Sequence, residues 1–188
     1  MKIYHYTKGL NLKSIFNDGF IATEQKRNLN PEIPFYTDLV WLTESNTFPV
    51  TALPLIPSIP STNLKLRGKF KNMATDYAAI SGLIGGFWRF GFDSKHPKCE
   101  KWFFSKARNE AYEKPGMLHM DQIANKVGDN IRSFWVSGKD IPLKYFTLEA
   151  LDTATNEWVH VDPNSIRFSP TNDGKGHVIH VNAYLQAA

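Results

Sequence analysis

Residues 2–21 read KIYHYTKGLNLKSIFNDGFI, and this stretch decides how the fold begins. Its first part, residues 2–7, is short and rich in aromatic side chains, which is typical of a β-strand. His5 stands between Tyr4 and Tyr6, at a place where a core strand usually carries Val, Ile or Phe. Because an imidazole can donate and accept hydrogen bonds, the pattern predicts a polar contact at His5.

A short amphipathic helix is predicted directly behind this strand. Leu12, Ile15 and Phe16 follow the i, i+3, i+4 spacing that places apolar side chains on one helical face. Gly19 predicts the end of the helix, since glycine readily adopts the left-handed conformation that caps a C-terminus. Residues 20–21 then predict a return to extended structure.

The composition is that of a packed globular protein. Of 188 residues, 42% are hydrophobic and 21% are charged, which indicates one domain spanning residues 1–188 and excludes disorder. The net charge of +4 permits an anionic ligand, such as a dinucleotide or a nucleic acid, without requiring either.

The single cysteine, Cys99, excludes an intramolecular disulfide and a Cys-based zinc site. The first residues lack the apolar core of a signal peptide, and no stretch approaches the ~20 apolar residues that a membrane helix needs. We therefore expect a cytoplasmic protein that makes no membrane contact.

The rest of the chain predicts an α+β fold with more strand than helix. Predicted strands are VWLTES, NLKLRGKF, FWRFGFD, SFWVS, KYFTLEALD, EWVHV and HVIHVNAYL; predicted helices are ATDYAAISGLIGG, the second half of HPKCEKWFFSKARNEAYEK, and HMDQIANKVGDN. Residues 46–63 carry four prolines, a density that forbids a helix and predicts an irregular arm over the domain surface.

Three segments resemble the ADP-ribosyltransferase-like fold. YHYT at residues 4–7, followed by a helix with the pattern L-x-x-I-x-x-x-G-F, is similar to the opening of NAD-dependent ADP-ribosyltransferases and of NAD-dependent RNA 2′-phosphotransferases. VWLTES at residues 40–45 and SGKDIPLKYFTLEAL at residues 137–151 resemble later strands of the family. The resemblance implies a strand-rich split sheet with NAD as substrate.

The resemblance also implies roles for individual residues. The first-strand His of the family hydrogen-bonds a ribose hydroxyl of NAD, a role that falls here to His5, and a neutral imidazole suits a ribose diol. A hydroxyl at the end of the second strand touches the nicotinamide ribose, a role that falls to Thr43. The expected catalytic residues are His5, Thr43 and Arg89, and the expected NAD contacts also include Tyr6, Thr7, Trp41, Ser45 and Tyr77, with Tyr36 as an alternative to Tyr77.

Several of these residues also have a purely structural interpretation. His5 can be a core histidine bonded to a neighbouring strand, and Trp41 and Tyr77 can simply pack. Arg89 follows a double glycine, and its planar guanidinium suits a phosphate, with Arg67 as a further candidate for that role. The alternative for Arg89 is a strand residue stacked on Trp88 or Phe90.

The chain departs from the family at the catalytic acid. Many ADP-ribosyltransferases place a Glu on the strand before an Ile-Pro turn, whereas alignment on Ile141-Pro142 puts Ser133 or Phe134 there. Three possibilities remain open: the acid comes from elsewhere, the chemistry is of the phosphotransferase kind, or the protein binds a nucleotide without turning it over.

Other reactive residues give weaker patterns. The histidines near the C-terminus lack a third ligand at recognisable spacing, and the segment around Cys99 matches no nucleophile motif.

The resemblance thus predicts an NAD-dependent transferase, such as a toxin or phage factor, that modifies a protein or nucleic-acid acceptor. The alternative is a catalytically inactive module that binds a nucleotide or a partner on the same fold.

Overall fold

The first strand and the helix behind it form as the sequence predicts. Strand β1 (Lys2–Lys8) runs directly into helix α1 (Gly9–Asp18). The helix buries Leu12 and Ile15, and it ends at Gly19, which adopts a left-handed φ of 73° and donates its amide to the carbonyl of Ile15 at 3.0 Å.

A computed structural model describes residues 1–23, 39–49, 52, 81, 84–96, 98–108, 121–122, 124–125, 128–171 and 177–181. The further strands within these residues are β2 (Phe20–Ile21), β3 (Val40–Thr43), β4 (Phe87–Asp93), β5 (Glu100–Lys101), β6 (Phe134–Ser137), β7 (Ile141–Pro142), β8 (Thr147–Asp152), β9 (Glu157–Val161), β10 (Ile166–Pro170) and β11 (His177–Val181), and the second helix is α2 (Trp102–Arg108).

Seven of the described strands form one antiparallel sheet in the order β5-β6-β3-β1-β4-β8-β9. Strand β1 therefore lies at the centre of the sheet. Two short antiparallel pairs accompany it, β2 with β7 and β10 with β11. The predicted α+β, strand-rich fold class is confirmed.

The two faces of the sheet pack differently. The face that carries Ile3, His5 and Thr7, here called the helix face, is covered by α1, by the β2–β7 pair and by β10, whose buried side chains form the main core. On the opposite face, Trp102 and Phe134 belong to a second apolar cluster over β3 and β6. Side chains alternate between these faces along each strand.

Several predicted boundaries differ from the structure. Lys144 and Tyr145, predicted to begin a strand, lie in a 3-10 turn (Leu143–Tyr145), and β8 starts at Thr147. The strands β5 and β10 were not predicted: β5 has only two residues, and the alternation of Ile166 to Ser169 in β10 was missed. Helix α2 begins at Trp102, earlier than the predicted second half of its segment.

Some predictions fall outside the described residues. Tyr36, Arg67 and Tyr77 are among them, as are the predicted strand at residues 63–70 and most of the proline-rich arm at residues 46–63. Among the described segments, none of the helices combines the length and the hydropathy that crossing a membrane requires.

Candidate functional site

His5 makes the polar contact that its place in the strand predicts. Its ring is half-buried, and Nδ1 donates to the carbonyl oxygen of Trp41 on β3 at 2.9 Å. Because a carbonyl can only accept, Nδ1 carries the proton, and in the neutral ring Nε2 holds a lone pair. The ring also lies 6.5 Å from the ring of Phe90, centroid to centroid.

The bond from His5 lies where β1 and β3 part. The two strands pair at Tyr4 with Thr43, whereas β1 and β4 pair along the whole of β1, from Lys2 to Lys8. The imidazole thus donates a hydrogen bond to a backbone carbonyl of β3, next to the position where β1 and β3 pair. This contact explains why an aromatic core strand carries a histidine at this position.

The register divides the predicted site between the two faces. His5 pairs with Phe90, whereas Tyr6 pairs with Arg89, so the imidazole and the guanidinium lie on opposite sides of the sheet. Thr43 lies opposite Tyr4 and therefore shares the face of Arg89. Of the expected NAD contacts on strands, His5 and Thr7 are on the helix face, and Tyr6, Trp41, Thr43 and Arg89 are on the opposite face.

Thr43 is a buried hydrogen-bonding residue. Its Oγ1 lies 2.9 Å from Oγ of Ser133, and it also accepts the backbone amide of Ser45 at 3.1 Å. Ser133 in turn donates to the carbonyl of Asn130 at 2.6 Å. These bonds fix the end of β3 against the turn that precedes β6. The hydroxyl of Thr7 is also used internally, since it accepts the side-chain amide of Asn11 at 3.3 Å.

Trp41 packs in the second apolar cluster. Its ring lies 4.8 Å from that of Trp102 and 6.1 Å from that of Phe134, centroid to centroid. Leu42, next along β3, is buried in the core of the helix face. Side chains thus alternate between the two faces along β3, and the ring contacts of Trp41 agree with the packing interpretation.

Arg89 is held by an ion pair and two aromatic rings. Its Nε donates to the carboxylate of Glu149 on the neighbouring strand β8, and its side chain is 7% exposed. Its Cζ lies 4.0 Å from the ring centroid of Tyr4 and 4.4 Å from that of Trp158. The stacking partners are therefore Tyr4 and Trp158, not Trp88 or Phe90 as the sequence suggested.

The same guanidinium holds the loop that follows β3. Nη1 of Arg89 donates to the carbonyl of Asn46 at 3.1 Å, and Nε1 of Trp158 donates to that carbonyl at 2.9 Å. The hydroxyl of Tyr6 donates to the carbonyl of Ser45 at 2.5 Å. Ser45 is thus a backbone anchor of this loop, and its own hydroxyl contacts Thr47.

The charges in this cluster shift the pKa values of two groups. Burial raises the pKa of Tyr6 to about 12, although the hydrogen bond and charge of Arg89 act in the other direction. Burial also opposes ionisation of Glu149, but the hydrogen bonds from Lys2 and Arg89 outweigh it, so the pKa of this carboxyl is lowered. Glu149 is therefore an anion at neutral pH.

A second carboxylate, Glu44, lies on the side of the sheet that carries His5. By alternation from Thr43 it points to the helix face, where it accepts Nε1 of Trp135 at 2.7 Å and pairs with Lys101. Burial opposes its ionisation, yet the bonds from Lys101 and Trp135 leave its pKa lowered. The sequence could have suggested the side on which Glu44 lies, because it follows the apolar Leu42 by two residues at the end of a predicted strand.

The remaining candidate groups make local contacts. His180 Nε2 lies 2.7 Å from Oγ of Ser169, and His177 Nε2 lies 3.4 Å from the carbonyl of Gly9. Burial raises the pKa of Cys99 to about 12, so this thiol is a poor nucleophile at neutral pH. In the part of the chain that the structure describes, no three His, Cys, Asp or Glu residues are arranged to hold a metal ion.

The chain was compared with protein-family models and with curated proteins. No protein-family model matches the chain, and no curated protein matches it.

Proposed function

We propose that this protein is an NAD-dependent ADP-ribosyltransferase-like enzyme that transfers ADP-ribose to a macromolecular acceptor. The observation that carries the proposal is the adjacency of two segments that resemble the family, since β1 lies beside β3 in the sheet. The third segment begins at Ser137, the last residue of β6, which lies on the other side of β3, and it continues into β7 and β8, which pair with β2 and β4. Residues far apart in the sequence are thereby gathered around His5.

His5 is the residue that we assign to the sugar. Its bond to Trp41 fixes the tautomer and the orientation of the ring on the helix face, and the resemblance to the family assigns this histidine to a ribose hydroxyl of NAD. A half-buried ring held by a backbone carbonyl also has little orientational freedom to lose on binding. We therefore expect His5 to orient the ribose without taking part in proton transfer.

Glu44 is the residue that we assign to charge stabilisation. When the bond between C1′ and nicotinamide breaks, its electron pair leaves with nicotinamide and positive charge develops on the ribose. A nucleophile of the acceptor then attacks C1′ and loses its proton to a base. No carboxylate stands on β6, whereas Glu44 is ionised, lies beside that strand and shares the face of His5.

Arg89 and Thr43 have no part in this proposal as ligand contacts. The guanidinium is already bonded to Glu149 and Asn46, and the Thr43 hydroxyl to Ser133 and Ser45. Recruiting either group for NAD would break buried hydrogen bonds, each of which costs about 1–3 kcal/mol to leave unmade. We assign both residues to holding the loop after β3.

Calorimetric titration with NAD tests the role of His5. We expect the wild type to bind NAD and His5→Ala to bind at least about tenfold more weakly, the value of one lost hydrogen bond. His180→Ala, which removes an exposed histidine on β11, is the matched control and is expected to bind as the wild type does. Absence of binding by the wild type would remove NAD as the ligand.

Nicotinamide release separates the enzyme from a binding module. The alternative function, binding without turnover, is favoured by the pairing of Glu44 with Lys101, which neutralises part of its charge. With NAD and a cell lysate as the source of acceptors, we expect the wild type to release nicotinamide. Glu44→Gln should release it about a hundredfold more slowly while still binding NAD, and Glu157→Gln, an exposed carboxylate on β9, serves as the control. NAD binding without release would support the module.

A further inference from the structure

Two loops on the helix-face side of the sheet meet in one surface patch. The first loop, described at residues 94–96 and 98–99, follows β4, and the second, residues 138–146 with β7 and the 3-10 turn inside it, follows β6. Nζ of Lys98 donates to the carbonyl of Asp140 at 3.2 Å, which joins the two loops. The rings of His96 and Tyr145 make a second junction, 4.6 Å apart.

This patch is basic. The two loops contain four lysines and one aspartate, a net charge of +3 in a protein whose total is +4. The single carboxylate, Asp140, accepts the backbone amide of Thr23 at 2.9 Å. At the border of the patch, Asp93 accepts the amide of Lys95 at 2.9 Å and lies 3.9 Å from the N-terminal amine. Lys95, Lys139 and Lys144 are exposed, and they concentrate positive charge in one place.

An aromatic ring stands among these lysines. Tyr145 is 43% exposed, and Nζ of Lys144 lies 5.1 Å from its ring centroid. The ring is supported from below, because His96 lies between Tyr145 and Phe92, 4.9 Å from the ring of Phe92. Since Phe92 is buried in the main core, the exposed ring rests on a rigid base.

We propose that this lysine–tyrosine patch, formed by Lys95, His96, Lys98, Lys139, Lys144 and Tyr145, binds single-stranded nucleic acid. The lysines would contact phosphates, and Tyr145 would stack on a base. A positively charged surface combined with a supported aromatic ring is the arrangement by which proteins bind single strands without sequence preference. An acidic peptide would use the lysines but would gain little from the exposed ring. The inference does not rest on NAD use, and its test contains no NAD.

Fluorescence anisotropy tests the proposal directly. The probe is a fluorescein-labelled single strand of 20 nucleotides of mixed sequence, as DNA and as RNA, titrated with the full chain at several salt concentrations. We expect binding by the wild type that weakens with salt. Lys139→Ala/Lys144→Ala should reduce the slope of log K against log salt by about 1.4, since each phosphate contact on a single strand contributes about 0.7. Lys13→Ala, an exposed lysine on α1, is the control and should leave the slope within error of the wild type.

Two further variants separate stacking from general attraction of charge. Tyr145→Ala should weaken binding about tenfold or more, whereas Tyr145→Phe, which keeps the ring, should bind nearly as the wild type does. The proposal is overturned if the wild type does not bind the single strand at low salt. It is also overturned if Tyr145→Ala binds unchanged, or if the matched duplex or polyglutamate competes as well as the unlabelled single strand. Thermal melting of each variant shows whether a lost affinity reflects a lost fold.

Discussion

At the scale of the residue, His5 shows how a polar side chain is accommodated in the middle of a sheet. A β-branched residue at this position would leave the Trp41 carbonyl without the donor that Nδ1 now supplies at 2.9 Å. A hydrogen bond of this kind contributes about 0.5–1.5 kcal/mol to stability. The imidazole therefore has a structural use, because its bond holds β3 beside the central strand β1.

Arg89 is the residue for which the sequence left two interpretations open. Its neighbours along the chain could not reveal Glu149, which lies 60 residues later and becomes its partner through the pairing of β4 with β8. Nor could they reveal Tyr4 and Trp158 as the rings that enclose it. Such contacts are set by strand order and register, which a local pattern does not encode.

Removing Arg89 should therefore destabilise the fold strongly. In Arg89→Ala the Glu149 carboxylate keeps its burial but loses its main partner, and breaking a buried pair in this way costs about 3–5 kcal/mol. Urea unfolding at pH 7 measures the change. Lys2→Ala is the matched control, since Lys2 bonds the same carboxylate from an exposed position and should cost less than about 1 kcal/mol. Equal losses in the two variants would contradict the assignment of Arg89 as the main partner.

At the scale of the element, the sequence predicted those helices and strands whose formation depends on their own residues. The apolar spacing and Gly19 placed α1 correctly, and alternation or aromatic richness found β3, β4, β6 and β9. Strand β5 has two residues, and it exists because β6 offers an edge, so nothing in its own sequence marks it. The 3-10 turn at residues 143–145 follows the Ile-Pro strand β7, whose position is fixed by pairing with β2.

The junction of β1 and α1 depends on a glycine for steric reasons. A Cβ on Gly9 would lie 1.7 Å from the carbonyl oxygen of Gly85, and the amide of Gly9 donates to the carbonyl of Gly86 at 3.0 Å. The helix start is thus pressed against the backbone that leads into β4.

Gly9→Ala should consequently destabilise the protein by about 2 kcal/mol or more, because backbone must move to admit the methyl group. Gly138→Ala is the control, since a Cβ there meets nothing within 4 Å, and its effect should stay within about 0.5 kcal/mol. Thermal or urea unfolding of both variants provides the comparison. A Gly9→Ala protein as stable as the control would show that the junction relaxes freely.

At the scale of the whole molecule, the sheet decides which predicted site residues can act together. Alternation along residues 41–44 is enough to place Trp41 and Thr43 on one face of the sheet and Leu42 and Glu44 on the other. It could not show that His5 shares the face of Glu44, because that depends on the pairing of Tyr4 with Thr43. The register of β1 with β3 and β4 therefore puts Glu44 on the same face as His5, and it puts Thr43 and Arg89, the residues first expected beside His5, on the opposite face.

Acid should weaken the folded state through its paired carboxylates. The pKa values of Glu44 and Glu149 are lowered in the folded protein, so the unfolded chain binds more protons below its ordinary Glu pKa. The stability they contribute is present above that ordinary value, 4.5, and is lost as the pH falls through the folded pKa. In Glu149→Gln the free energy of unfolding should be lower at pH 7 but should fall less between pH 5 and pH 3, as urea unfolding across this range would show.

Alkali should weaken the folded state through Tyr6. Its pKa rises from 10.0 to about 12 on folding, so the unfolded chain releases the phenolic proton first. The stabilisation is complete below pH 10 and is lost as the pH rises toward 12, with a maximum loss on the order of 2 kcal/mol. Tyr6→Phe removes this contribution along with the bond to Ser45, so it should be less stable than the wild type at pH 8 and should lose less between pH 9 and pH 11. Tyr145→Phe, an exposed tyrosine, should follow the wild-type profile, and parallel profiles for Tyr6→Phe and the wild type would contradict the assignment.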